Sequence, residues 1–469
     1  MNARRLVSWI AGLAGSAVLS ACSGGSNGAL SLPPNSSVHH RSGSTPIQHI
    51  VLMIQENRTF NDFFAGFPGA TSSKTGYERV KNGKTYKREQ IPLTEVDLNN
   101  DKDLTHLYAA YMTAYRDGHM DGFNLIRSLA SGKHEGKAPY QYVNPSDLQP
   151  YWTMASEYAL ADEMFQTQGS GSFTAHQELI RGGTELDSSD SLIDDPTTSA
   201  AWGCDSPQGA LTSLITTSLK YRRDKGPFPC SNDFPSSQGY ETLADLLDAH
   251  SVSWKYYTPQ FQKGTDSALW NAFDVIWRVR NGAEWGTNVT WPQTNIFNDI
   301  SNGTLPAMSW VIPDADNSDH PGMHADTGPS WVASVVNAIG GSSYWNSTAI
   351  IVVWDDWGGF YDPVPPPPLD NQGGPGFRVG MIVVSPYTPQ GASCAGQVAH
   401  TVYEFGSIVR FIEDTWDLGR LGTTDGTATS IANMFNFTQS PCAFHSIGSK
   451  YSRAFFLHQT PSGAPVDVE

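Results

Sequence analysis

Beyond its first two dozen residues the sequence has no long apolar run, so no internal bilayer span is expected. Charge is sparse, at 16% of residues, and unbalanced: 29 Lys and Arg stand against 46 Asp and Glu, a net −17. No basic stripe is evident along the chain. An acidic surface repels polyanions, so a nucleic-acid partner is not expected. Cysteine is scarce as well. Five are present and none forms a C-x-x-C, which removes the usual thiolate zinc site. There is no internal repeat, so a solenoid is excluded. At 39% hydrophobic residues the chain still buries a large core, and its length suits one α/β domain of unusual size.

The N-terminus is a basic start, Met1 to Arg5, followed by a short apolar stretch, Leu6 to Ser20, that ends in Leu19-Ser20-Ala21-Cys22. That string resembles a bacterial lipobox, which implies a signal peptide over 1–21 and a lipidated Cys22. Residues 22–45, rich in Ser, Gly, Pro and Asn, read as a flexible tether. The expected location is therefore the cell envelope, membrane-anchored and facing the periplasm or exterior. Removing Cys22 leaves four cysteines, an even number in an oxidising compartment. Three pairings exist, and the sequence-local one, Cys204–Cys230 with Cys394–Cys442, is the expected choice.

The folded domain is expected over 46–469. Ile50–Ile54, Ser309–Ile312, Ala349–Trp354 and Val379–Val384 are apolar runs of strand length, suited to a sheet buried on both faces. Between them Pro329–Ile339 has helical spacing with Pro near the first turn and Gly340-Gly341 as a stop, and Val402, Phe405, Ile408, Val409 and Ile412 mark another helix. Alternation of strands and helices predicts a layered α/β/α fold with a largely parallel central sheet. Residues 183–304, dense in Ser, Asp, Pro and Gly, read as a loop-rich insertion or cap.

Two of the predicted strands run straight into acids. Gln55-Glu56-Asn57 follows the first, and Asp355-Asp356 follows the strand ending at Trp354. Ligands of open α/β sheets bind beyond the carboxyl ends of strands. Carboxylates brought together there repel unless a cation binds them, and an oxygen-rich set suits one hard divalent metal. The same acids could stand solvated at strand ends. Gly169-Ser170-Gly171-Ser172 could turn sharply and expose a hydroxyl, or be a plain surface loop. Asp316 to Gly322, with His320, follows another predicted strand.

In order along the chain, these strings and several more resemble the phosphoesterase family of bacterial non-haemolytic phospholipases C and certain acid phosphatases. The carrying strings are His49 to Phe60, Met120-Asp121-Gly122-Phe123, Ser172 to Gln177, Ser318 to Gly322, Gly328 to Ala333 and Trp354 to Asp362. The resemblance implies an alkaline-phosphatase-like fold. It implies one metal held by Glu56, Asn57, Ser172, Asp355 and Asp356, with Ser172 as nucleophile and His106 and His320 on the phosphate. It also implies a small phosphate ester or a phospholipid as substrate. Gly171, Thr174 and Pro363 depart from the usual family residues. A reading of another class is a non-catalytic lipoprotein that binds a metal or ligand. A binder has no need of a serine among the acids.

The lipobox yields a first prediction. Wild-type protein should partition into detergent, and Cys22→Ala should move it to the aqueous phase, since the anchor rests on acyl chains at ~0.8 kcal/mol per buried CH₂. Unlipidated wild-type protein in the soluble fraction would remove the anchor.

Overall fold

The most apolar runs of the chain lie side by side. In a computed structural model, β1 (His49–Gln55) pairs in parallel with β12 (Met308–Val311) on one side and β13 (Thr348–Trp354) on the other. The structure describes residues 45–196, 202–230, 239–261, 270–391 and 393–464. The leader, Cys22 and nearly all of the tether lie outside these residues. Every residue of β13 is buried, as are six of the seven in β1, so both sheet faces are covered. That explains why these strands read as unbroken Val, Ile and Leu runs without alternation.

The sheet has eight strands in the order β11-β10-β12-β1-β13-β14-β6-β15. Here β6 is Ala159–Ala161, β10 Trp254–Tyr257, β11 Val289–Thr290, β14 Met381–Val384 and β15 Gln397–Ala399. Only β14 runs against its neighbours. No helix occupies the 355–380 connection, so β14 returns antiparallel to β13 without the helical crossover that a parallel return usually employs.

Helices pack in two groups. One holds α3 (Gln149–Glu157), α7 (Asn295–Asn302), α8 (Gly328–Gly340) and α10 (Arg453–His458); the other holds α4 (Ser172–Arg181), α5 (Leu243–Ala249) and α9 (Phe405–Trp416). This is the expected layered α/β/α arrangement. The helix expected from Val402 starts at Phe405, and Val402 is exposed. Short helices α1 (Phe60–Phe64), α2 (Tyr108–Tyr115) and α6 (Trp277–Arg280) sit in connections.

The segment 183–304 is not a single cap. β7 (Asp190–Ile193), β8 (Ser213–Thr216) and β9 (Tyr221–Arg222) form a separate antiparallel sheet. Its later part, β10, β11 and α7, belongs to the layered core. These strands are short and carry polar residues such as Asp190, Thr216, Arg222, Lys255 and Thr290, so they do not register as apolar runs in sequence. Two smaller pairs complete the fold: the antiparallel hairpin β2 (Thr75–Asn82) with β3 (Thr85–Pro92), and β4 (Thr94–Val96) with β5 (Gln141–Val143). No helix of the described residues is long and apolar enough to cross a membrane. Both sequence-local disulfides are present, Cys204–Cys230 and Cys394–Cys442, with Cα atoms 4.8 and 6.0 Å apart.

Two buried guanidiniums tie the loops to this frame. Arg378 makes a bidentate pair with Asp362, 2.9 and 3.0 Å, and neither side chain is exposed. It also donates to the Thr71 and Asp162 carbonyls. Arg58 pairs with Asp62 and Asp101 and donates through Nε and a terminal nitrogen to the Asp319 carbonyl. Removing one partner of such a pair strands a charge in low dielectric. Asp362→Ala should therefore lower unfolding stability by about 3–5 kcal/mol in urea titration; a loss below about 1 kcal/mol would show that water reaches Arg378.

Candidate active site

Strands β12, β1 and β13 are adjacent and parallel, so their carboxyl ends open at one edge of the sheet. The ladder continues past them. Asp355 N donates to the Gln55 carbonyl at 2.9 Å and Glu56 N to the Ser318 carbonyl at 2.8 Å. Glu56-Asn57, Asp355-Asp356 and the loop bearing His320 are thereby set next to one another. Asp319 anchors that loop. Its carboxylate accepts from Tyr151 Oη at 2.7 Å, and from Gln55 Nε2 and Trp354 Nε1 at 3.1 Å each. Burial pushes it up to about 6.

Asn57 is the hub. It adopts a left-handed conformation, φ 58°, where Asn is tolerated better than most residues. Its backbone N–H donates to Asp355 Oδ1 at 2.8 Å. Its Nδ2 lies 3.1 Å from both His106 Nε2 and His320 Nε2. The other ring nitrogens face carbonyls, His106 Nδ1 at 2.7 Å from Leu104 O and His320 Nδ1 at 2.8 Å from Pro321 O. A carbonyl only accepts, so both Nδ1 carry the proton and both Nε2 accept when the rings are neutral. That assigns the Asn57 amide: its NH₂ feeds two imidazoles, and its Oδ1 accepts from the Ser172 hydroxyl at 3.3 Å.

Ser172 opens α4 directly after Gly171. Its Oγ also lies 3.0 Å from Asp356 Oδ2, so the two acceptors share one proton. His106 Nε2 is 3.4 Å from the same Asp356 oxygen. The glycines before Ser172 do not serve a left-handed turn. A Cβ on Gly169 would lie 2.2 Å from the Tyr111 ring, and one on Gly171 2.9 Å from Asp195 Oδ1, so they permit close packing. The serine stretch is accordingly buried rather than a surface loop, with Ser172 only 4% exposed. Ser170 sits outside the cluster, its Oγ accepting from Asp194 N at 2.7 Å.

The seven residues singled out in sequence, Glu56, Asn57, His106, Ser172, His320, Asp355 and Asp356, come together here. An eighth does too. His176 Nε2 lies 3.1 Å from Glu56 Oε1 and 3.7 Å from Asp355 Oδ2. His176 lies within the Ser172–Gln177 string, and nothing in that string singles it out for a role. The available signal was spacing: Ser172 and His176 are four apart at a helix start and share a face.

The donor chemistry fits a cation. Glu56, His176 and Asp355 offer ligand atoms within 4.8 Å of one another, all buried. Asp355 Oδ1 is satisfied by two backbone N–H groups, whereas Oδ2 is buried without a hydrogen-bond donor. Burial, and then the adjacent Asp356, push the Asp355 carboxyl up from its ordinary range. Burial pushes the His176 imidazole down to about 3, which keeps it neutral and a lone-pair donor. Carboxylate, imidazole and amide oxygen together suit a divalent ion of the Zn, Mn or Fe type as well as a harder one.

The profile of the Phosphoesterase family matches residues 47–419. The non-hemolytic phospholipase C of Burkholderia pseudomallei is 26% identical over 88% of this chain and 61% of its own length. Phospholipase C B of Mycobacterium tuberculosis is 24% identical over 85% of this chain and 79% of its own. The chain thus spans about three fifths of the first of these relatives. A solved protein in the alkaline phosphatase superfamily from Vibrio parahaemolyticus overlaps 87% of this chain and 74% of its own, with 11% identity and a TM-score of 0.33.

The hub depends on one glycine. Gly358 has φ 56°, its N–H donates to Asp356 Oδ1 at 2.8 Å, and a Cβ there would lie 2.0 Å from the Asn57 carbonyl oxygen. Gly358→Ala should cost well over the roughly 1–2 kcal/mol of left-handed strain alone. Gly391→Ala, with φ 70° and open space, should cost only that strain. Equal unfolding midpoints for the two variants would show that the Asn57 turn tolerates displacement.

Proposed function

The chain belongs to the Phosphoesterase family, and from that premise we propose that it hydrolyses phosphate esters at the Glu56–Asp356 cluster with Ser172 as nucleophile. The observation that carries the reading is the Ser172 hydroxyl held 3.0 Å from a buried carboxylate inside a set of cation ligands. Glu56, Asn57, Asp355 and Asp356 would hold one divalent metal with Ser172, and His176 would supply a further ligand beside Glu56 and Asp355. When bound, such an ion lowers the hydroxyl pKa and offsets phosphoryl charge.

The chain's own groups account for the rest. Asp356 Oδ2 accepts the Ser172 hydroxyl proton and aims the Oγ lone pair at phosphorus. Attack forms the Oγ–P bond and breaks the bond to the alcohol oxygen, leaving a phosphoserine. His106 and His320, when protonated at Nε2, donate to phosphoryl oxygens or to the departing oxygen. Water then attacks phosphorus, the Oγ–P bond breaks and the hydroxyl is restored. The Asn57 amide fixes both rings relative to Ser172, so nucleophile and acids share one anchor.

An acid phosphatase or phosphodiesterase is the form we favour, with the domain held at the cell envelope through Cys22. Phospholipase C activity is the second form, favoured by the chain's similarity to bacterial phospholipases C. In either, the phosphate ester is the substrate class.

The test is a screen against a monoester, a diester and phosphatidylcholine. Chelation should abolish turnover, and Ser172→Ala should lower kcat by at least about 10³-fold while the fold, read by circular dichroism, is retained. Phosphate should be trapped on Ser172 in wild type. Near-wild-type turnover by Ser172→Ala would leave direct attack by water and remove the covalent step.

A further inference from the structure

The β2–β3 hairpin runs against the acidity of the whole. Between residues 74 and 92 it carries Lys74, Arg79, Lys81, Lys84, Lys87 and Arg88 against only Glu78 and Glu89, in a chain of net charge −17. Its register sorts these charges by face. Tyr77 pairs with Gln90, Arg79 with Arg88 and Lys81 with Tyr86, and alternate pairs share a face. That face holds three cations, two tyrosines and no acid. Glu78, Glu89 and Lys87 fall on the other, where Lys87 pairs with Glu89. Alternation along each strand mixes the two faces in sequence, which is why no basic stripe was evident there.

The cationic face is under-compensated. Arg79 and Arg88 stand directly opposite, an arrangement that repels. Tyrosine rings relieve part of this: the Arg88 guanidinium lies 3.3 Å from the Tyr77 centroid and that of Arg79 5.1 Å from Tyr86. The nearest carboxylate to Arg88 is Asp121, at 3.9 Å. Among the described residues Arg79, Lys81 and Lys84 form no ion pair. Lys81, Tyr86 and Arg88 are exposed, as is the turn bearing Lys84.

The root is closely packed and adjoins the candidate site. Gly76 lies against Tyr361, where a Cβ would approach to 2.9 Å, and Tyr140 Oη donates to the Tyr77 carbonyl at 2.9 Å. Ile91 is buried in the aromatic cluster that contains Trp357, the neighbour of Asp356.

We infer that the Arg79–Lys81–Arg88 face docks the protein onto a bilayer surface containing anionic phospholipid. Tyrosines interleaved with Lys and Arg suit the headgroup level of a membrane, where each cation near the surface gains attraction. A ladder of mutually repelling cations along an exposed hairpin matches an extended anionic plane. Each eight-residue strand spans about 25 Å, and charges farther than about 8 Å are largely screened at physiological salt. The acidic bulk of the chain therefore does not cancel the tip. Docking needs no turnover, so it stands apart from the catalytic reading.

Full-length protein carrying Cys22→Ala, so that no acyl chain contributes, is floated with two kinds of vesicle: phosphatidylcholine alone, and phosphatidylcholine with one third phosphatidylglycerol. Partition onto the anionic vesicles should be at least about tenfold greater and should fall in high salt. Lys81→Glu with Lys84→Glu should bring it down to the neutral level, with an unchanged circular dichroism spectrum. Ser172→Ala should bind like its parent, so failed catalysis and failed docking give different results. Equal partition onto both vesicles, or undiminished binding by the Lys81→Glu/Lys84→Glu variant, would overturn the inference. Retention on heparin without vesicle binding would also overturn it, in favour of a soluble polyanion.

Discussion

Buried negative charge at the ends of two zipped strands is the constraint around which the rest is arranged. β1 and β13 pair in register up to Gln55 and Trp354, so the acids that follow cannot splay apart. Glu56, Asp355 and Asp356 are all fully buried. Unpaired carboxylates in such a place would take up protons or break the sheet end. Backbone N–H groups satisfy one oxygen of Asp355 and one of Asp356, and the remaining oxygens are directed at Ser172, His106 and His176. The site is therefore less a pocket decorated with acids than a sheet edge whose buried Glu56, His176 and Asp355 could hold a cation.

The frame around that edge is held by charge pairs of a different kind. Arg378 with Asp362, and Arg58 with Asp62 and Asp101, are buried and hydrogen-bonded on several sides. Arg58 immediately follows Asn57, and Asp362 closes the loop that begins at Asp355. Each clamp fixes a loop within a few residues of a proposed ligand. Asp362 illustrates the division of labour: it belongs to the same short string as Asp355 and Asp356, yet its carboxylate is fully engaged by Arg378 and backbone N–H groups and takes no part in the cluster.

The strong strands and the acids behind them were legible because a both-faces-buried strand is an unbroken apolar run and its end is marked by the first polar residue. The disulfide pairing was legible from proximity alone. His106 was not: it lies in an irregular stretch before α2 and entered only through family resemblance, since no periodicity marks a loop residue that reaches across the fold. His176 was hidden because a histidine inside a helix looks like any other. β10 escaped because Lys255 interrupts its four residues and the edge strand β11 because two residues give no pattern, and the hairpin's charge segregation because it exists only once register pairs the strands.

The strand at the centre of the sheet is also the first of the described chain, and this bears on how the molecule reaches its native state. β1 lies between β12 and β13, and the bond from Asn57 to Asp355 joins residues 298 apart in sequence. Nothing made earlier can stand in for those partners. An apolar segment must wait, unpaired, until most of the chain is available, and then close a very long loop. β1 therefore cannot pair in the order of synthesis, and contacts of this sequence separation favour slow folding. Until then β1 is the segment most exposed to aggregation, and a chain truncated before residue 348 would lack one whole side of the strand that leads into Glu56 and Asn57.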